Sequence, residues 1–380
     1  MLLKALSIGG CFIVLAGCAA APRAPLPADL PWQDQAFYYD AALVSVSKRD
    51  LFELDPGLLS KLGDPSIQNS SAQNRLNHLV SLLFGPETKE FPYSRGHSTI
   101  AAETWRRKNG DCLSLTVLSY SLAKALGMSV QMQEVRVPVV FDRRGSVEFL
   151  NRHVNVLVRG DGGLYVNDGI MRSGGVIIDF EPQVGSQREG LALSDDGILA
   201  RFYNNIAAEY LAQGDLPLAY AHFKAALFVD PDYSPSYSNL AQLYTRKGFL
   251  ESAERLLLHA IELNDDADIA LRSLHHLLVS QGRESEASKY AEILRERQDR
   301  DPYYWLGAGL DHLQGGNYQK AVSALEHAQA LTRGFQEVHR YLAIAYLRAG
   351  KPIQAKNQLS VLASLMFHDS DLAALSKENQ

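Results

Sequence analysis

Five glycines recur at a fixed interval of 34 residues: Gly214, Gly248, Gly282, Gly316 and Gly350. Five alanines, Ala219, Ala253, Ala287, Ala321 and Ala355, keep the same interval five positions later. A period of that length makes each repeat one supersecondary unit, too small to bury its own apolar face, so neighbours must stack into a continuous core. In the first unit Tyr203, Ile206, Ala207 and Tyr210 stand at helical spacing before the glycine. Ala219, Phe223 and Ala226 follow it, and Pro231 closes the unit. The glycine ends the first helix of a pair in a left-handed conformation, the small residue lets the paired helix approach, and the large residues fill the seam to the next unit. The second unit repeats this with Tyr237, Leu240, Ala241, Tyr244, Ala253, Leu257 and Ala260; the fourth opens with Trp305 and Gly309, and the fifth carries Leu342, Ala343 and Tyr346. The third departs furthest, with His275 at a small-residue position and Asp299 where the first unit has its proline. The spacing predicts five helix pairs over residues 200–365 and a polar tail over 366–380.

The order aromatic, Leu, small, aromatic, then Ala-x3-Phe and a closing Pro resembles the tetratricopeptide repeat (TPR). That resemblance implies an all-α solenoid whose concave groove takes a protein or peptide partner. Composition fits a folded chain, with 46% hydrophobic and 21% charged residues. Lys plus Arg at 37 against Asp plus Glu at 43 gives a net charge of −6, and no basic run occurs, which argues against a nucleic-acid partner.

Lys4 followed by an apolar run over residues 5–17 reads as a secretory signal peptide, residues 1–17, too short to span a bilayer. The run ends Leu15-Ala16-Gly17-Cys18, which resembles the lipobox of bacterial lipoproteins. The resemblance implies cleavage before Cys18, lipidation of Cys18, and a membrane partner through the lipid anchor. With Ala19 rather than aspartate next, it implies sorting to the outer membrane of the bacterial envelope, facing the periplasm. Residues 18–27, rich in alanine and proline, are the lipidated cysteine and a tether. Of three cysteines, Cys11 leaves with the signal and Cys18 is capped by lipid. Cys112 is then the one thiol of the mature chain, which excludes an intramolecular disulfide.

Residues 28–195 read as α+β. Leu76, Leu79, Leu82 and Leu83 predict a helix over 71–84, and a second is expected over 97–108. Asn109-Gly110-Asp111 is a turn with an N-cap residue, so Cys112 falls in the first turn of an apolar helix that runs to Gly127, its C-terminal stop. A helix start stabilises a thiolate and offers backbone amides to an oxyanion. Alternation over 129–140, then Asn151-Arg152-His153-Val154-Asn155-Val156-Leu157-Val158, Leu164-Tyr165-Val166 and Val176-Ile177-Ile178-Asp179-Phe180, predicts an antiparallel meander.

Gly110-Asp111-Cys112, a helix, a strand, His153 on the next strand and an Asp on a later one resemble the transglutaminase-like superfamily of papain-type thiol enzymes, over residues 75–185. The resemblance implies a nucleophile at Cys112, a base at His153 and an orienting acid at Asp179. It implies a cysteine acyltransferase or an amide hydrolase or protease. Two positions depart from the family's pattern. Asn155 stands where an aromatic is common. Asp168 competes as the acid, although Asn167-Asp168-Gly169 is accounted for by a turn. Asp179 is favoured because it follows Val176-Ile177-Ile178, where a carboxylate is desolvated unless paired. The histidines show no metal-ligand spacing and no glycine-rich phosphate loop follows a strand, so no metal and no cofactor are expected. The alternative reading is a catalytically silent docking or scaffold lipoprotein whose array recruits an envelope partner.

Overall fold

The computed structural model describes residues 26–85, 91, 97–135, 137, 141–144, 147–150, 153–159, 175–180, 190–263, 267–332 and 336–363. Cys18 and the signal, Asp168, the strand expected over 164–166 and the tail over 366–380 lie outside them. No helix among the described residues is long and apolar enough to cross a membrane.

The region before the array is α+β. Its strands are β1 (Ser129–Val135), β2 (Phe141–Arg144), β3 (Val147–Leu150), β4 (His153–Arg159), β5 (Val176–Ile178) and β6 (Leu191–Leu193). Four of them form an antiparallel sheet in the order β5-β4-β1-β6, and β2 pairs with β3 as a separate hairpin. The expected meander is therefore only partly realised. The strand expected over 129–140 stops at Val135, and the hairpin intervenes before β4 returns along β1, setting Val135 opposite His153. After β5 the chain crosses to the far edge, where Leu191–Leu193 pairs with β1 from Glu134 to Met132. Nothing in the local pattern of so short a strand says which edge it joins.

Three short helices not expected from the sequence, Lys48–Phe52, Pro56–Leu62 and Pro65–Gln68, precede those that were. Ser71 caps Ala72–Phe84 by accepting from the Asn74 amide, and Leu76, Leu79 and Leu83 are buried. The helix expected over 97–108 is shorter, Ala101–Arg107. Cys112–Ala125 is buried on nearly every side and packs against β1 and β4. Leu126 ends it, and Gly127 takes the left-handed conformation with φ +66°.

The array is built of helix pairs: Asp195–Gln213 with Leu216–Val229, Ser234–Lys247 with Leu250–Glu262, Ala267–Ser280 with Glu284–Arg300, and Pro302–Gln314 with Tyr318–Leu331. Gln336–Arg348 pairs with a last helix over 352–363. The five periodic glycines all lie at positive φ, from 73° to 87°, between the helices of a pair. Gly309 shows why the small position exists: a Cβ there would stand 2.5 Å from Leu325 Cγ on the partner helix. The divergent third unit leaves a mark, because its second helix buries only Ala287. The core of the last two units, around Leu306, Leu325 and Leu342, is separate from that of the first three.

Two features move the expected boundaries. The first array helix belongs to two cores: Ile198, Leu199, Phe202 and Tyr203 join Leu115, Leu122 and Val156, whereas Ala207, Ala208 and Leu211 join the array. A division at residue 195 or 200 thus cuts through shared packing rather than a linker. Residues 26–39, expected to belong to the thiol region from residue 28 on, instead strap the array. Phe37 stacks on Tyr220 with ring centroids 4.6 Å apart, Lys224 Nζ meets Asp34 Oδ1 at 2.7 Å, and Tyr244 Oη donates to the Pro31 carbonyl at 2.8 Å. A Phe and a Trp in a proline-rich approach offer large apolar area, and the nearest surface able to bury it is the aromatic one of the first two units.

Candidate active site

The turn that presents Cys112 is specified residue by residue. Lys108 ends the preceding helix in the left-handed region, φ 56°, with its ammonium 2.9 Å from the centroid of the Trp105 ring. Burial there lowers the lysine's pKa. Gly110 is required by close approach, since a Cβ would lie 2.9 Å from Ser114 Cβ and 3.2 Å from Thr104 Cγ2. Asp111 then caps the helix. Its Oδ1 accepts from the Ser114 amide at 2.8 Å and from Ser114 Oγ at 2.5 Å, and its Oδ2 accepts from Ser98 Oγ at 2.6 Å. The Thr99 amide donates to Ser114 Oγ at 2.8 Å, closing the cage. Cys112, a half-buried thiol, is the first residue of the helix so capped, where the positive end of the helix dipole favours a thiolate.

His153 opens β4, and Asp179 directly follows β5. The structure brings them together: Nε2 of His153 is 2.8 Å from Asp179 Oδ2, with the side chains only 4% and 2% exposed. Asn155 Nδ2 donates to the same Oδ2 at 3.4 Å. Asn155 Oδ1 accepts from Gln133 Nε2 at 2.9 Å, and Gln133 Oε1 accepts from the Gly190 amide at 3.0 Å. Cross-strand register sets this row, because Gln133 lies opposite Asn155 and Asp179 is one residue past the Val156–Ile178 pair. The polar set alternates along β4 with Val154, Val156 and Val158, which enter the apolar core.

Cys112 is tied to this pair through the helix. Thr116, one turn on, donates from Oγ1 to the carbonyl of Val154, the neighbour of His153, at 3.2 Å. Asp168 lies outside the described residues, so the acid contacting His153 among those described is Asp179. Among the described residues no group of three or more His, Cys, Asp or Glu is placed to hold a metal.

In the sequence Asn155 stands out as a departure from a family pattern within a predicted strand, whereas Gln133 and Ser98 do not stand out. Asn155 and Gln133 still carry a usable signal, each an amide within an otherwise strand-like run. Ser98 carries none, because its partner Asp111 already has a complete local role as a cap.

The tetratricopeptide repeat family model matches residues 210–276. DnaJ homolog subfamily C member 3 of Rattus norvegicus is 25% identical over 175 residues, covering 42% of this chain and 35% of its own length. The Gallus gallus protein of that name is 26% identical over 176 residues with the same coverage. The chain thus spans about a third of the length of the curated relatives it matches. Among solved structures, MamA from Desulfovibrio magneticus RS-1 is 16% identical with a TM-score of 0.25, covering 47% of this chain and 98% of its own. YrrB, described as a TPR protein with an unusual peptide-binding site, is 19% identical with a TM-score of 0.24, covering 47% and 92%. Residues 210–276 are tetratricopeptide repeat sequence.

Proposed function

We propose that this chain is a lipid-anchored envelope protein in which a transglutaminase-like thiol region, lying between the strap and the array, carries out acyl transfer or amide hydrolysis, and the array recruits the protein or peptide that presents the acyl group. One observation carries the enzymatic reading: the sealed His153–Asp179 pair at 2.8 Å. Burying a carboxylate and an imidazole costs desolvation that apolar residues of similar size would avoid. An acid that orients a catalytic imidazole gives that cost a purpose.

With Nε2 turned to Asp179, Nδ1 is the nitrogen left to exchange a proton with Cys112. The Cys112 sulfur attacks the acyl carbonyl, the C–N bond breaks, and the departing amine takes its proton from the His153 imidazolium, leaving a thioester. Water or an amine then gives a proton to Nδ1 and attacks the thioester, releasing the acyl product and the thiol. Asp179 holds the tautomer and steadies the imidazolium. The amides at the start of the cysteine helix face the developing oxyanion.

The anchor is Cys18, by its lipobox, in the outer membrane facing the periplasm. Leu26, which packs against the array, is eight residues further on, at most about 29 Å of extended chain. The array is thereby held close to the membrane surface. Metabolic labelling with a fatty-acid analogue tests this: Cys18→Ser abolishes incorporation, and label retained in that variant excludes the anchor.

The second reading, a silent docking lipoprotein, draws on the family match to residues 210–276 within the array. Labelling Cys112 with a thiol-directed probe, followed by mass, separates the two. His153→Ala slows labelling at least tenfold if His153 activates the thiol. Equal rates in the variant and the wild type leave docking as the function.

A further inference from the structure

The first array helix reaches past its own repeat. Glu209, in its last turns, is 8% exposed at the side chain, and burial pushes its carboxyl pKa up despite the donors around it. Its Oε1 accepts from the Ser98 amide at 3.1 Å, and its Oε2 meets His97 Nδ1 at 2.7 Å. One turn earlier, Asn205 Nδ2 donates to Ser98 Oγ at 3.2 Å. A hydroxyl has a single hydrogen, so a donor on its oxygen directs that hydrogen elsewhere. Here it goes to Asp111 Oδ2 at 2.6 Å, the cap of the cysteine helix. None of this is needed for repeat packing, where an apolar residue would bury more cheaply than a carboxylate.

We propose that the first array helix is a working part of the thiol site, with Glu209 and Asn205 as positioning residues that fix Ser98 and, through Ser98 and Asp111, the helix start that presents Cys112. The inference rests on Cys112 being the nucleophile. Glu209 holds the Ser98 backbone, Asn205 sets its hydroxyl, and Ser98 supplies the donor that balances the Asp111 charge beside the sulfur. Losing that donor raises the thiol pKa in two ways: the cap loosens, so the amides lose their aim, and the aspartate next to the thiolate is less neutralised.

The test is the alkylation rate of Cys112 by iodoacetamide against pH, in the full chain, read on the Cys112 peptide by mass spectrometry. The wild-type midpoint lies below the ~8.5 of an ordinary thiol. Ser98→Ala and Glu209→Ala each move it up by about half to one pH unit and slow alkylation at pH 7 roughly three- to tenfold. Glu209→Gln, which keeps the acceptor for the Ser98 amide, retains the low midpoint. The double variant Ser98→Ala/Glu209→Ala is no worse than the worse single one, because both act along one line. Asn205 is half-buried, so Asn205→Ala serves if the Glu209 variants fail to fold, with a shift about half as large in the same direction.

A wild-type midpoint at that of an ordinary thiol overturns the nucleophile reading and the proposal with it, before any variant is made. A low wild-type midpoint that Ser98→Ala, Glu209→Ala and Asn205→Ala all leave in place, with only melting affected, overturns the proposal alone. Additive shifts in the double variant do so too.

Discussion

In the array each helix packs on the next one along the chain, and the same glycine turn is reused five times. The thiol region is joined by bonds that leap across the sequence. Thr99 and Ser114 are 15 residues apart, His153 and Asp179 are 26 apart, and Ser98 and Glu209 are 111 apart. The difference is one of failure mode. Loss at one repeat of a solenoid is shared only with its neighbours, so damage there stays graded. A buried polar network behaves as a unit, because each unpaired group left behind carries its own desolvation cost. The array therefore tolerates variation that the site does not.

The largest effect expected is at the acid. Asp179→Asn leaves His153 in the wrong tautomer and lowers acylation of Cys112 on the order of a thousandfold, with melting near wild type. Asp168→Asn keeps near-normal acylation, since an asparagine serves a turn as well as an aspartate. Acylation rates of the two purified variants decide the matter: a silent Asp168→Asn beside an active Asp179→Asn moves the acid to position 168.

Next is the strap, which tests whether the two regions come apart. Phe37 is 1% exposed and stacked on Tyr220. Phe37→Ala lowers the stability of the first two units by about 3–5 kcal/mol, the cost of deleting a buried aromatic. Denaturant unfolding followed by far-UV dichroism reports this loss, while Cys112 labelling without denaturant stays unchanged. Labelling that falls in parallel would mean that the shared first helix makes one cooperative unit of both regions.

The smallest effect belongs to a repeat glycine. At Gly248, φ is +86° and an added Cβ would meet nothing within 4 Å, so the left-handed backbone sets the penalty expected for Gly248→Val. It amounts to about 1–2 kcal/mol. Thermal melting measures it, and labelling is unaffected. A melt indistinguishable from wild type would show that the left-handed cap is dispensable at this repeat.

Legibility followed the same division. The five helix pairs, the Asp111 cap, the Cys112 helix start and the Gly127 stop were all readable, because each depends on residues within a few positions of one another. The His153–Asp179 pair was reached by resemblance and by the argument that an aspartate after three apolar β-branched residues must be paired. The amide row behind it escaped, since Gln133 and Asn155 meet only through the β1–β4 register.

Period, caps and turn residues are local interactions, and local interactions repeat wherever their residue pattern repeats. The sequence by itself therefore determined the array, the presentation of the thiol and the candidate nucleophile. Only the tertiary structure decided that Leu191–Leu193 crosses to the β1 edge, that residues 26–39 lie on the array, and that Glu209 of a repeat helix holds Ser98 beside the thiol's cap. Each of these is a choice among distant surfaces of similar polarity. That choice is settled by which pairing buries the most apolar area and leaves the fewest buried polar groups unpaired, and no stretch of chain contains that information alone.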